Sequence, residues 1–240
     1  MLSSYAREAL KKVSTATLTT VLFKRGLRNV FVQNIFLLNP KAPRMVGEAY
    51  TLRYIPARED LDRLGAFEGR GHPQREAIEA CPAGQVLVMD ARRDASAATG
   101  GDILMTRLMV RGVAGVVTDG GLRDSPTIEK LAWPAYCGAR SAPLNLVRHH
   151  AVESQVPIGC GGVAVYPGDV VVGDAEGVVV IPAQMAEEVA QDAEAQTEFE
   201  DWVEATVKEG RSIFGLYPPN AETRAEFEAF RKKSGADPKR

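Results

Sequence analysis

Between residues 85 and 136, short apolar runs alternate with stretches of helical spacing, and this alternation restricts the fold more than any other feature. QVLVMD at 85–90 and GVAGVVT at 112–118 carry almost no polar alternation. Such runs are buried on both faces, as in a parallel sheet covered by helices. Between them, residues 103–111 place Ile103, Leu104, Leu108 and Met109 at helical intervals. A second helix is expected over 125–131 and a short strand over 133–136. Strand, helix, strand, helix, strand in this order predicts an α/β unit with a parallel or mixed sheet.

The flanks extend this unit. Residues 4–24 have helical spacing through Ala9, Leu10, Val13, Leu18 and Leu22, interrupted by Ser/Thr clusters that suggest two short helices. Strand formers dominate 44–54. Residues 56–73, with Gly65, Gly69 and Gly71, read as a loop or insertion, and 75–81 as a short helix. Beyond 155 the chain turns to short strands, at 156–158, 163–166, 170–172 and 178–181, separated by strong turn signals such as PGD and DAEG. These are expected to form a compact β substructure. Pro182 ends it, and an acidic helix follows over 183–209. Residues 218–240 are polar and expected to be partly mobile. No repeat or linker divides the chain, so one domain over 1–240 is predicted.

Composition narrows the function classes. Lys and Arg number 29 against 31 Asp and Glu, so no basic surplus points to nucleic acid. No apolar run reaches the ~20 residues that span a bilayer. Cys81, Cys137 and Cys160 are widely spaced and odd in number, which argues against a disulfide framework or zinc knuckle. A cytoplasmic protein without nucleic-acid or membrane partners is expected.

Chemistry concentrates in two glycine-rich turns. Gly100-Gly101-Asp102 opens a predicted helix, so the amides near Ile103 and Leu104 are expected to be unpaired, a natural seat for a carboxylate. In the second turn, Gly120 and Gly121 can adopt positive φ and let the backbone approach a ligand closely. That turn ends in Arg123, a planar donor fork suited to carboxylates, and Asp124, a hard oxygen ligand for a divalent cation. An Arg-Asp pair after a glycine turn is, by itself, usually a solvated loop with a helix N-cap at Asp124. Lysines occur at 11, 12, 24, 41, 130, 208 and in the tail, none on an apolar strand, which disfavours a Schiff base. Neither a GxSxG elbow nor a GxGxxG after a strand is present. His149 and His150 are adjacent and face different ways; His72, in the insertion, is the histidine best placed to meet a ligand.

Taken together, GGDIL, RGVAGVVTDGGLRD and VAVYPGDVVVGDAEGVVVIP resemble the RraA-like family, which includes 4-hydroxy-4-methyl-2-oxoglutarate aldolases and a regulator of ribonuclease E. The resemblance covers roughly residues 75–210. Its most specific element is an Asp, twenty intervening residues and then Arg-Asp, matched by Asp102 and Arg123-Asp124. The resemblance implies a three-layer β/β/α swivelling-type fold with a mixed sheet and a long C-terminal helix, assembled as a homotrimer or hexamer with sites at subunit interfaces. It implies a 2-oxo acid substrate and a lyase that releases pyruvate, with oxaloacetate decarboxylation as a side reaction; the alternative is a non-catalytic regulator of a ribonuclease or helicase. Carried over, Asp124 ligates Mg²⁺ or Mn²⁺, Asp102 acts through metal-bound water, and Arg123 binds the keto acid and offsets enolate charge. Gly101 and the amides of Ile103 and Leu104 hold the carboxylate. Glu200 or Glu198 of a neighbouring subunit is a candidate to complete the site. The chain departs from the family at Thr127, where an acidic residue is common (Glu129 lies two further on), and in the longer 56–73 segment.

Overall fold

The computed structural model describes residues 2–233. Helices α1 (Ser4–Leu10) and α2 (Thr15–Lys24) are separate. Ser3 and Ser14 cap them, each side chain accepting from the amide three residues on. The two Ser/Thr clusters are therefore helix starts. Strands β1 (Phe36–Leu37) and β2 (Met45–Pro56) follow. The insertion carries only a 3-10 turn, Leu64–Phe67, before α3 (Pro73–Ala80). Then come β3 (Val86–Asp90), β4 (Ala98–Gly100), α4 (Asp102–Val110), β5 (Gly115–Thr118), β6 (Gly121–Leu122) and α5 (Ser125–Ile128). The chain continues through β7 (Ala135–Cys137), β8 (Ala139–Arg140), β9 (His149–Ser154), β10 (Val170–Gly173) and β11 (Val178–Ile181). It closes with α6 (Ala186–Lys208) and α7 (Ala221–Lys233).

The main sheet is mixed and runs β1-β7-β5-β3-β2-β10-β11, with β9 also paired to β2. Strands β7, β5, β3 and β2 are parallel, as the alternation of apolar runs and helices predicts. The long β2 pairs in turn with β10 through residues 45–48 and with β9 through residues 52–56, both antiparallel. A second, three-stranded parallel sheet of order β4-β6-β8 lies beside it.

Strand side chains alternate between two cores. Val86 and Val88 of β3, Val171 of β10 and Val178 and Val180 of β11 share an inner cluster with Val117 and Tyr136. Leu87 and Met89 face the other way, onto Met105 and Leu108 of α4 and Ile78 of α3. Val170, Val172, Val179 and Ile181 face α1, α2 and α6. The sheet thus curls around the inner cluster, and helices cover its outside.

Two expectations are corrected. Strands β10 and β11 join the main sheet through β2 and form no separate β substructure; of the 156–158 and 163–166 segments only the Ile158–Val165 bridge survives. The 119–124 turn contains the short strand β6. Part of the polar tail forms α7, which docks Phe227 against Phe199 and Trp202 of α6; residues 234–240 lie outside the described residues. The three cysteines are free and buried. Among the described residues, no helix is long and apolar enough to cross a membrane.

Candidate functional site

The small sheet exists to bring two strand ends together. Parallel β4 and β6 lie side by side, and each leads at its C-terminal end into a helix, α4 or α5. Ligands of α/β sheets bind at such ends. The Arg123 amide donates to the Gly100 carbonyl at 3.0 Å and locks the two turns in register. Gly101 then packs under the Arg-Asp pair: a Cβ there would stand 2.8 Å from Asp124 Oδ2 and 3.0 Å from Arg123 Cγ. Asp124 holds φ 54°, ψ 30°, the left-handed region, which costs a non-glycine residue about 1 kcal/mol or more. Its carboxylate lies 3.3 Å from Arg123 Nε, and both side chains are about two-fifths exposed.

Asp102, Arg123 and Asp124 line one cleft of about 170 Å³, together with Gly101, Ile103 and Leu104. Of the residues singled out from the two turns, these six therefore meet, whereas Gly120 and Gly121 are not part of the lining. The backbone details differ from expectation. Gly120 and Gly121 do not take positive φ. They are glycines because neighbours crowd them: a Cβ would meet Ala91 and Thr99 at position 120, and Ser141 at position 121, within 2.7 Å. Nor are the amides of α4 unpaired. The Ile103 amide donates to Asp102 Oδ1 at 2.8 Å, and that of Leu104 to the Gly101 carbonyl at 3.1 Å. The Asp102 side chain folds over the first turn and occupies the Ile103 amide.

The far wall comes from elements with no sequence signal. The insertion folds back so that Phe67 reaches the cleft, with the Arg75 guanidinium 4.7 Å over its ring. Gln74 from α3 and Leu144 and Asn145 from the 141–147 loop complete it. Gln74 and Asn145 are only 2% and 5% exposed, yet Gln74 Oε1 and Asn145 Nδ2 have no hydrogen-bond partner among the described residues. Among the described residues, no lysine lines the cleft.

Other candidates fall outside it. His72 packs its ring against Phe67 at 4.7 Å, behind the wall. Burial holds its pKa below the ordinary value, with Arg75 acting in the same direction. His150 contacts Asp62 at 2.8 Å, pinning the insertion to β9. His149 is fully buried; its Nε2 donates to the Ala97 carbonyl, which leaves Nδ1 to accept from Arg92. Asp119 accepts from the amides of Ala91, Arg93 and Gly161 and is a backbone anchor, its carboxyl pushed up by burial against those three bonds. Glu129 pairs with Arg140. On α6, Glu200 accepts from Thr17, Gln196 and Tyr217, and Glu198 pairs with Arg231, so both have partners within their own chain.

Comparison with known proteins places these features in context. A family model described as RraA-like, Aldolase/RraA, matches residues 15–180. A relative from Halalkalibacterium halodurans, provisionally named 4-hydroxy-4-methyl-2-oxoglutarate aldolase, is 40% identical over 116 residues, 48% of this chain and 54% of that protein. The chain spans about half, and in one case about a quarter, of the length of the first curated relatives it matches. Among solved structures, an uncharacterized protein from Pseudomonas syringae superposes with a TM-score of 0.79 at 25% identity, covering 90% of this chain and 94% of that one. Streptomyces coelicolor RraAS2, described as an unusual member of the RNase ES inhibitor RraA protein family, gives 0.74 at 29% identity, covering 84% of this chain and 96% of that one.

Proposed function

The chain belongs to the RraA-like family, and on that premise we propose that it is a divalent-metal-dependent lyase that cleaves a 4-hydroxy-2-oxo acid to pyruvate and a second carbonyl compound. One observation carries this reading: Asp102, Arg123 and Asp124 converge on a single cleft at the ends of two parallel strands, and among the described residues no lysine lines it. A retro-aldol cleavage removes the C4 hydroxyl proton, breaks the C3–C4 bond and leaves its electron pair as an enolate on the pyruvate half. Protonation at C3 completes pyruvate, and the C4 fragment departs as an aldehyde or ketone. Without a lysine to form an iminium, the enolate charge has to be met electrostatically.

Arg123 is the group suited to that task. Its backbone is fixed by the hydrogen bond from its amide to the Gly100 carbonyl, its aliphatic stem lies against Gly101 and its Nε against Asp124, so its guanidinium is held near where charge would develop. The donor set also fits a hard divalent cation. Asp124 supplies a carboxylate at the cleft mouth, and Asp102 a second one suited to contact through water. Among the described residues, no group of three or more His, Cys, Asp or Glu is placed to hold a metal ion, so any cation here would have at most two such protein ligands. Few protein ligands and several retained waters are the habit of Mg²⁺ and similar ions. When bound, such a cation polarises the substrate carbonyl as a Lewis acid. The ligand carboxylate is assigned to the start of α4, where it displaces Asp102 Oδ1 from the Ile103 amide. Oxaloacetate decarboxylation follows the same enolate logic as a side reaction.

A second reading, a non-catalytic regulator of a ribonuclease, is favoured by the likeness to RraAS2. The two are separated by incubating the protein with a panel of 4-hydroxy-2-oxo acids, with and without Mg²⁺ or Mn²⁺, and measuring pyruvate. Metal-dependent release supports the lyase. No release from any member of the panel, with either metal, removes it.

A further inference from the structure

The segment between β2 and α3, residues 57–71, gives the cleft one lining residue, Phe67, and is built unlike the other walls. No residue in it is buried as a whole. Its backbone bonds between Arg58 and Arg70 stay local: Leu61 and Asp62 donate to the Arg58 carbonyl, Ala66 to that of Arg63 and Glu68 to that of Gly65. The segment is a wall that takes no part in the core, so its opening breaks few long-range contacts. Its ends are held, the Ala57 amide by the Arg148 carbonyl and the Gly71 amide by Glu76. Just inside the second anchor, Gly69 holds φ 75°, and a Cβ there meets nothing within 4 Å. That glycine supplies backbone freedom and answers no packing demand. Among the described residues, one polar contact ties 58–70 to the sheet: Asp62 Oδ1 lies 2.8 Å from His150 Nδ1 on β9. The Asp62 side chain is 2% exposed, and its second oxygen accepts from the Arg58 amide at 2.7 Å.

We propose that residues 57–71 are a lid on the cleft, latched shut by Asp62 on His150 and hinged at Gly69. The inference rests on the reading of the cleft as a 2-oxo acid site. Latch and tip are separate parts. Asp62 meets β9, whereas Phe67 lines the cleft with Asp102, Arg123 and Asp124. With the latch made, the Phe67 ring packs on His72 and under the Arg75 guanidinium, and its apolar surface closes one side of the cleft. Such a closure keeps water from the enolate, whose charge is then met by Arg123 rather than by solvent. With the latch broken, Phe67 gives up those two ring contacts and the cleft opens on that side to admit substrate. A surface loop with held ends, a free middle and one side chain in the cleft has the build of an active-site lid.

The test is amide hydrogen exchange of the full chain, read by mass spectrometry with Mg²⁺ alone and with Mg²⁺ and oxalate. Oxalate is a planar acid that copies the shape and charge of the pyruvate enolate and cannot be cleaved; calorimetry establishes that it binds. Saturating oxalate is expected to slow exchange across the whole of 58–70 by roughly tenfold or more, including residues 58–63, which do not line the cleft. In Asp62→Ala without oxalate, the same segment is expected to exchange roughly two- to fivefold faster than in wild type, with β2 and α3 unchanged. A thermal melt establishes that the variant is folded; if it is not, the oxalate comparison on wild type decides alone. Bound oxalate that leaves exchange of 58–70 unaltered, or slows it at Phe67 alone, overturns the lid and leaves the lyase reading standing. Wild-type exchange in folded Asp62→Ala overturns the latch and with it the proposal. No binding of oxalate, at concentrations up to tens of millimolar, removes the acid-site reading together with the inference.

Discussion

Gly101 is the residue on which the site's geometry turns. A Cβ at this position meets Asp124 Oδ2 at 2.8 Å and Arg123 Cγ at 3.0 Å, so Gly101→Ala must push both side chains aside while leaving the core untouched. We expect wild-type-like thermal stability, within about 1 kcal/mol, with turnover reduced tenfold or more; a steady-state assay beside a melting curve checks both. Arg123 is expected to be intolerant of lysine, which keeps the charge but loses the planar fork. These three residues were legible in the sequence because their spacing and chemical type match a family pattern; without that pattern the Arg-Asp pair reads as a solvated loop. Gln74 and Asn145 were not legible, since what distinguishes them is a buried, unpaired atom, and burial is a property of the assembled fold. The state of the Ile103 amide was illegible for a related reason: it depends on the rotamer of Asp102.

At the scale of elements, the support beneath the site is strand β9 and its buried His149. That ring is neutral by design: burial holds its pKa below the ordinary 6.5, and its two hydrogen bonds, to the Ala97 carbonyl and from Arg92, specify one neutral tautomer. The unfolded chain therefore takes up the proton first. Its contribution to stability is fully present above about pH 6.5 and is lost as pH falls toward the folded-state value. Wild type should lose more stability than His149→Gln between pH 7.5 and pH 5, as measured by denaturant titration; parallel losses would contradict this. On the opposite face of the β4–α4 unit, Leu108 is fully buried among Leu87, Met105 and Ile78, and Leu108→Ala is expected to cost roughly 2–5 kcal/mol. Elements with continuous apolar runs, β3 and β5, were plain in the sequence. Strand β9 (HHAVES) was not, because its polar and apolar residues reflect pairing with β2 more than a hydrophobic face. The merger of β10 and β11 into the main sheet was hidden because pairing partners distant in sequence leave no local signal.

At the scale of the whole molecule, Ile213 and Phe214 stand 55% and 90% exposed between α6 and α7, an apolar edge that a second subunit would cover. Together with the assembly that the sequence resemblance implies, this leads us to expect a trimer or hexamer in solution; a monomer by light scattering at micromolar concentration would contradict it. The account's central claim, however, is a division of labour between adjacent residues: Asp124 holds a divalent cation, and Arg123 meets the enolate. Steady-state turnover and Mg²⁺ titration of Arg123→Ala and Asp124→Ala, measured side by side on a 4-hydroxy-2-oxo acid, test it most directly. Arg123→Ala is predicted to lose about 10²–10³ in turnover, roughly 3–4 kcal/mol, with metal affinity little changed, and Asp124→Ala to lose metal affinity first. Wild-type-like turnover in Arg123→Ala, or undiminished Mg²⁺ affinity in Asp124→Ala, would contradict it.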